Sequence, residues 1–145
     1  MAQTVLGAAR TILDGIAGIG TTWLGDIPNP PSGDIFPACA VRDYGESGHR
    51  YGTRVRKPTN VTTRFDVILY LTQSAIDVME NMAYAIAAAL HPESISITKS
   101  SVTRQVTLYR DDGSWQFDFA DMHDKNGVRV YKIEFHFRAA YQPFA

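Results

Sequence analysis

Few residue groups in this chain have the types and the spacing that catalysis requires. Gly45 and Ser47 begin the nucleophile-elbow pattern of hydrolases, but His49 stands where that pattern needs its last glycine. The glycines within 15–20 follow a predicted helix instead of opening one, so they do not form a dinucleotide-binding fingerprint. The sequence therefore gives no catalytic residue, no cofactor-binding motif and no reason to predict an enzyme.

The histidines give one weak candidate for a metal site. The four histidines are His49, His91, His123 and His136. None of them pairs with another at metal-ligand spacing, and His136 falls on the polar face of a predicted strand, where a solvated side chain is expected. Asp121, His123 and Asp124 cluster in one segment. A solvated turn is the first interpretation of this cluster and a divalent-ion site is the second.

Two segments of opposite charge are more informative than any of these motifs. Five basic residues lie in the first segment: Arg42, Arg50, Arg54, Arg56 and Lys57. Five acidic residues lie in the second: Asp111, Asp112, Asp118, Asp121 and Asp124. Three interpretations stay open: two solvated loops, a head-to-tail interface between copies of the chain, or contact of the basic segment with DNA phosphates. The ten residues are the candidate assembly interface.

Length and composition predict a single α+β domain over residues 1–145. The chain has 45% hydrophobic and 20% charged residues, which is ordinary for a globular domain of this size. A net charge of −1 gives the whole protein no electrostatic case for binding nucleic acid or a membrane. The first ten residues lack the pattern of a signal peptide, and the longest apolar run, 83–90, is too short to span a bilayer. The single cysteine, Cys39, lies in an apolar run and is predicted to be buried.

Hydrophobic periodicity predicts two helices and four strands. The helices cover residues 2–16 and 75–90, and the strands cover residues 37–44, 61–72, 95–110 and 128–141. A proline-rich connector at 25–37 is expected to be anchored by Trp23 and Phe36, and a long polar loop is expected at 45–60. In the last strand, aromatic and aliphatic residues alternate with polar ones, and a bulge is expected near Val130. The fold class is thus α+β: an antiparallel, mixed-order sheet in the order helix-β-β-helix-β-β, with the helices packed on one face.

The order of these features resembles one family of viral proteins. An N-terminal helix precedes a proline-rich connector that ends in residues 36–41, a long polar loop joins the first two strands, and a helix crosses after the second strand. An acidic turn with a tryptophan, 111–115, leads towards the final strand of alternating aromatic residues. In these features the chain resembles the tail terminator proteins of long-tailed bacteriophages.

The resemblance implies a structural role in the virion. Proteins of this family form a hexameric ring that caps the growing tail tube, ends its growth and provides the surface that joins the tail to the head. The implied partners are other copies of the chain, the tail tube protein and a head-completion or neck protein, with DNA only passing through the lumen. The implied location is the head-proximal end of the virion tail, and the host cytoplasm during assembly. A head-completion or tail-completion protein is the alternative, and a small non-viral α+β binding domain is the second.

Overall fold

The computed structural model describes residues 4–28, 31, 35–51, 58–72, 76–111 and 116–144, with the backbone alone at 44–51, 58–60, 76–78, 116–119 and 121. Within these residues the elements are α1 (Val5–Asp14), β1 (Thr22–Leu24), β2 (Ala38–Tyr51), β3 (Pro58–Thr72), α2 (Ile76–Leu90), β4 (Glu93–Lys99), β5 (Val102–Arg110), β6 (Gln116–His123) and β7 (Arg129–Tyr141).

The sheet is organised around β7. β3 pairs with one edge of β7 in unbroken register. The other edge is shared, because β5 pairs with residues 137–140 of β7 and β6 pairs with residues 129–134. The strand order is therefore β1-β2-β3-β7-β5-β4, with β6 in line with β5, and among the strand pairs of the described residues only β1–β2 is parallel. α1 contacts both β1 and β4, which end this order on opposite sides, so the sheet curls around the helices.

One face of the sheet forms the main hydrophobic core. The buried inward residues of β7 are Ile133, Phe135, Phe137 and Ala139. Phe137 stacks on Phe65 of β3 with ring centroids 5.5 Å apart and on Phe135 at 6.3 Å. Leu13 of α1 and Ile86 of α2 are fully buried in the same cluster, so both helices cover this face.

The opposite face is covered in part by the connector between β1 and β2. A smaller cluster joins Ile27 of the connector to Ala40, Ile68 and Val130 of the sheet. The predicted anchors, Trp23 and Phe36, are partly buried and pack against this cluster. The Lys125 N–H also donates to the Pro31 carbonyl oxygen over 3.0 Å, which ties the connector to the turn after β6.

The two helices match their predicted positions to within a few residues. Thr4 caps α1, since the Gly7 N–H donates to the Thr4 hydroxyl over 3.0 Å. Gly15 follows the last residue of α1, and its N–H donates to the carbonyl oxygen of Ile12. Pro92 follows α2, in keeping with the expected end of that helix. The burial of Cys39 is also confirmed, and desolvation raises the pKa of its thiol to about 12.

The α+β class is confirmed, but the predicted order helix-β-β-helix-β-β is wrong. β1 and β6 were not expected, and the predicted strand 95–110 is two strands, β4 and β5. Ser100 and Ser101 join them with φ of 48° and 66°, the left-handed pair that a type I′ turn requires. Serine carries no sequence signal for this turn, whereas Asn-Gly does. β6 lies within the acidic segment, whose aspartates favoured a turn.

The predicted polar loop at 45–60 is also wrong in its described part. β2 continues to Tyr51 and β3 begins at Pro58, so most of this region is a β-hairpin, and Ser47 lies in a strand. Register shifts between Asp43 and Glu46, and again before Arg50, accommodate the extra residues of β2. The hairpin was missed because its sequence is polar and rich in glycine, both of which favour loops.

The predicted bulge near Val130 lies on a different strand. The register between β3 and β7 runs without a shift through Val130, while the irregular pairing lies on β6, between Phe119 and His123. Val130 is fully buried on the connector side of the sheet. Val130 is therefore apolar because the connector side of the sheet is also buried, and no bulge in β7 is needed to explain it.

Phe137→Ala is expected to lower the free energy of unfolding by about 3–5 kcal/mol, because it removes a fully buried ring between two others. Urea denaturation followed by circular dichroism measures this change. Val128→Ala, at a side chain that is 42% exposed, is the control and should change stability by less than about 0.5 kcal/mol. Equal losses for the two variants would contradict the assignment of the core.

Candidate assembly surface

Arg50 of the basic segment and β6 of the acidic segment lie toward opposite ends of the strands, while Arg42 and Asp111 lie between them, beside Asp66 and His136. Val61 is the partner of Tyr141, the last residue of β7, so the β2–β3 hairpin extends past the end of β7. We call this extension, residues 48–51 and 58–60, the hairpin arm. β6 lies toward the other end of β7, where His123 is opposite Arg129. At about 3.4 Å per residue, β7 spans about 40 Å between these ends.

The predicted interface residues divide into those that the structure describes and those it does not. The side chains of Arg42, Asp111 and Asp124 are described. Arg50 lies in the hairpin arm and Asp118 lies opposite Lys132 in β6, but at these positions and at Asp121 only the backbone is described. Arg54, Arg56, Lys57 and Asp112 lie outside the described residues. An interface role for the set stays a prediction.

Four further cations lie toward the two ends of the sheet. Lys99 and Arg104 lie at the end of the sheet that carries the hairpin arm, because the β4–β5 turn is at that end. Lys125 and Arg129 offset part of the negative charge at the other end. Among the described residues, cations therefore lie at both ends of the sheet.

Arg42 holds the connector against the sheet. Its guanidinium lies 3.1 Å from the Asp26 carboxylate and donates to the Tyr70 hydroxyl over 3.2 Å and to the Gly25 carbonyl oxygen over 3.1 Å. Tyr70 is 3% exposed and lies on the face that the connector covers. Arg42 thus binds partners within its own chain. The sequence placed Arg42 in the candidate interface but did not reveal these partners.

Asp111 bridges two arginines that face each other across neighbouring strands. Arg64 of β3 and Arg138 of β7 are register partners, and like charges at such positions repel. Asp111 lies 2.5 Å from the Arg138 Nε and 3.6 Å from an Arg64 Nη atom. Its carboxylate therefore offsets a repulsion within the chain.

Asp66 and His136 form a pair that the sequence did not reveal. Asp66 is 3% exposed, and its carboxylate lies 2.7 Å from His136 Nδ1. The two residues are register partners on β3 and β7. His136 is 33% exposed, so the prediction of a solvated side chain is only partly correct. The pair could not be found from sequence, because the residues are 70 positions apart and the register of their strands was unknown.

Asp124 holds the turn between β6 and β7. Its side chain is 7% exposed and accepts from the Asn126 N–H over 2.8 Å and the Val128 N–H over 2.9 Å. This arrangement is a buried Asx turn, whereas the sequence indicated a solvated one. Among the residues that the structure describes, no group of three or more His, Cys, Asp or Glu side chains is placed to hold a metal ion.

The fold defines an α+β protein built on a curled, mostly antiparallel sheet. Comparison with protein-family models and with curated proteins finds no match to this chain. None of the helices in the described part of the chain is long and apolar enough to cross a membrane.

Asp111→Asn is expected to lower the free energy of unfolding by about 1 kcal/mol, because it leaves Arg64 and Arg138 facing each other without the carboxylate. The loss should shrink at high salt, since these side chains are partly exposed and salt screens their repulsion. In a double-mutant cycle, Arg64→Met should offset part of the loss. Strictly additive effects would show that Asp111 does not couple to Arg64.

Tyr70 is expected to make stability fall at alkaline pH. Burial is the main cause that raises the pKa of its hydroxyl to about 12; the Asp26 carboxylate acts in the same direction, and Arg42 opposes both. Because tyrosines of the unfolded chain ionise near pH 10, this contribution is complete below about pH 10 and is lost as the pH rises through about 12.

The measurement is the free energy of unfolding from about pH 9 to pH 12, with tyrosinate absorbance followed in parallel. Tyr70→Phe should remove part of the decline. Tyr84→Phe is the matched control, because Tyr84 is 56% exposed, and it should leave the decline unchanged. If both variants behaved like the natural chain, Tyr70 would not be the group responsible.

Proposed function

We propose that this chain is a virion structural protein, a tail terminator that forms a ring, with six copies as the expected number. The ring caps the tail tube, ends its growth and offers the surface to which the head binds. The observation that carries the proposal is the position of two strand segments toward opposite ends of β7: the hairpin arm, which contains Arg50, and β6, which contains Asp118 and Asp121. The N-terminal helix, the connector and the helix that follows β3 are features of the resemblance that the structure retains, and they support the proposal.

Opposite charges at opposite ends favour a directional contact between copies. A chain whose positive end meets the negative end of its neighbour uses two different surfaces, which is a heterologous interface. Such contacts form a closed ring when the rotation between neighbours divides the circle evenly. Complementary charge also fixes the register of the contact and disfavours wrong partners.

The ring acts by occlusion and not by chemistry. Once it is docked on the last ring of the tube, it covers the surface that the next tube protein would bind. Its free side then binds a head-completion or neck protein. DNA passes through the lumen, so a strongly basic lining would hinder it. This requirement is one reason to place Arg54, Arg56 and Lys57 at contacts between proteins and not in the channel.

The test is the mass and the shape of the assembled particle. Native mass spectrometry and electron microscopy, in solution and on isolated tails, should show a six-fold ring at one end of the tail. Assembly on a tube template is included because free copies can remain monomers until a tube is present. A chain that stays monomeric and never associates with tail tubes would overturn the proposal.

Charge reversal tests the contact itself. Arg54→Glu together with Arg56→Glu should prevent ring assembly and produce tails of uncontrolled length, while the thermal unfolding of the monomer stays unchanged. The matched variant, Asp118→Arg with Asp121→Arg, should fail in the same way. Normal rings from either variant alone would contradict charge pairing.

A further inference from the structure

β4 presents an open edge of the sheet. It pairs with β5 on one side, and it is the last strand on its side within the part of the chain that the structure describes. Lys99 and Val102 flank a two-residue turn and therefore form a hydrogen-bonded pair. Because such pairs alternate along the ladder, Ser94, Ser96 and Thr98 direct their backbone N–H and C=O groups away from β5.

The side chains of β4 leave these backbone groups exposed. The Ser96 hydroxyl accepts from Gln105 Nε2 over 2.7 Å, and the Thr98 hydroxyl lies 2.8 Å from that of Thr103. Both side chains are therefore tied to β5 and do not cover the edge. The Ser94 N–H donates to the Glu93 carboxylate over 3.2 Å, so it is covered. The open stretch is thus centred on Ser96 and Thr98.

A groove runs beside this edge. It has a volume of about 560 Å³ and lies between α1 and β4, with Ile95 and Ser96 on the strand side. Gly7, Ala8 and Thr11 line the helix side, and these small side chains keep α1 from filling the space. Arg10, also at the groove, is exposed. An open strand beside a helix is the arrangement in which proteins bind an extended segment by strand addition.

The edge strand at the other side of the sheet is not equivalent. β1 has only three residues, and the N–H of Thr22 donates to the Asp14 carboxylate over 3.0 Å. That carboxylate occupies a group that an added strand would need. β4, with seven residues, is therefore the better acceptor of the two.

The segment of the chain that best fits this edge is β6. β6 pairs with β7 along one side only, within the described residues, and it lies in line with β5. β4 pairs with β5 only as far as Glu93, which lies opposite Leu108. β6 lies beyond that point, so within the described residues the edge of β6 that faces away from β7 has no neighbouring strand. β6 has eight residues, which matches the seven of β4. It also carries Asp118 and Asp121, opposite in charge to Arg10.

We propose that the β4 edge binds β6 of a second copy, so that the sheet continues from one copy to the next. The Ser96 and Thr98 backbone groups pair with the backbone of the incoming strand, and Arg10 pairs with its aspartates. This assignment rests on the proposed self-assembly, and it names the strands that make the contact. Backbone pairing supplies the affinity, and charge selects the strand.

A synthetic peptide of residues 116–123, titrated into the full-length protein, tests the contact without any ring. In amide correlation spectra the Ser96 and Thr98 N–H signals should shift, together with those of Gly7 to Thr11, while signals from α2 stay in place. A peptide with Asp118→Lys and Asp121→Lys should bind at least about tenfold more weakly. An unchanged spectrum with the natural peptide would overturn the proposal.

Two variants at Ser96 distinguish the role of its backbone N–H from that of its side chain. Ser96→Pro removes the outward N–H, and an edge strand tolerates proline there, so the monomer should fold while peptide binding and assembly are lost. Ser96→Ala keeps the N–H and should bind and assemble normally. If Ser96→Pro unfolds the protein, Arg10→Glu replaces it: peptide binding should weaken at least about tenfold and recover with the Lys-substituted peptide.

The two proposals fail in different ways. Peptide binding at Ser96 and Thr98 in a protein that never forms rings would support the strand contact and overturn the terminator function. Normal rings from Ser96→Pro, with no peptide binding to the natural chain, would overturn the strand contact and leave the terminator function standing.

Discussion

The structure depends on the position of β7 between β3 and the collinear strands β5 and β6. β7 is paired along both edges, so its side chains alternate between the two faces at the centre of the sheet. Phe135 and Phe137 point into the core with the helices, while His136 and Arg138 lie on the other side. A one-residue shift of this strand would exchange the two sets, so the register is strongly specified.

The polar side of β7 is more ordered than its sequence suggests. The Asp66 carboxylate lies within hydrogen-bond distance of His136 Nδ1, and Asp111 bridges Arg64 and Arg138. Most described charges near the centre of the sheet therefore have partners within the chain. Arg42 extends this network to the connector. The charges that could contact another molecule therefore lie away from this centre, at the ends of the strands and beside the open edge of β4.

The sequence was sufficient wherever one signal dominated. The alternation in β7, the glycine that ends α1 and the hydrophobic periodicity of α2 were predicted correctly because each is local. The hairpin arm and β6 were missed because their residues favour loops, and only pairing with a neighbouring strand makes them extended. Ser100 and Ser101 adopt left-handed conformations without the usual glycine, so the division between β4 and β5 had no local signal.

The candidate surface was predictable in composition but not in geometry. That two segments carry opposite charges can be read from the chain, whereas the positions of the hairpin arm and β6 toward opposite ends of β7 follow from strand pairing. In the proposed assembly, a positive arm and a negative β6 would orient two copies before they touch. Salt screens that attraction over about 10 Å at 0.1 M, so ionic strength would set the rate of association more than its final extent.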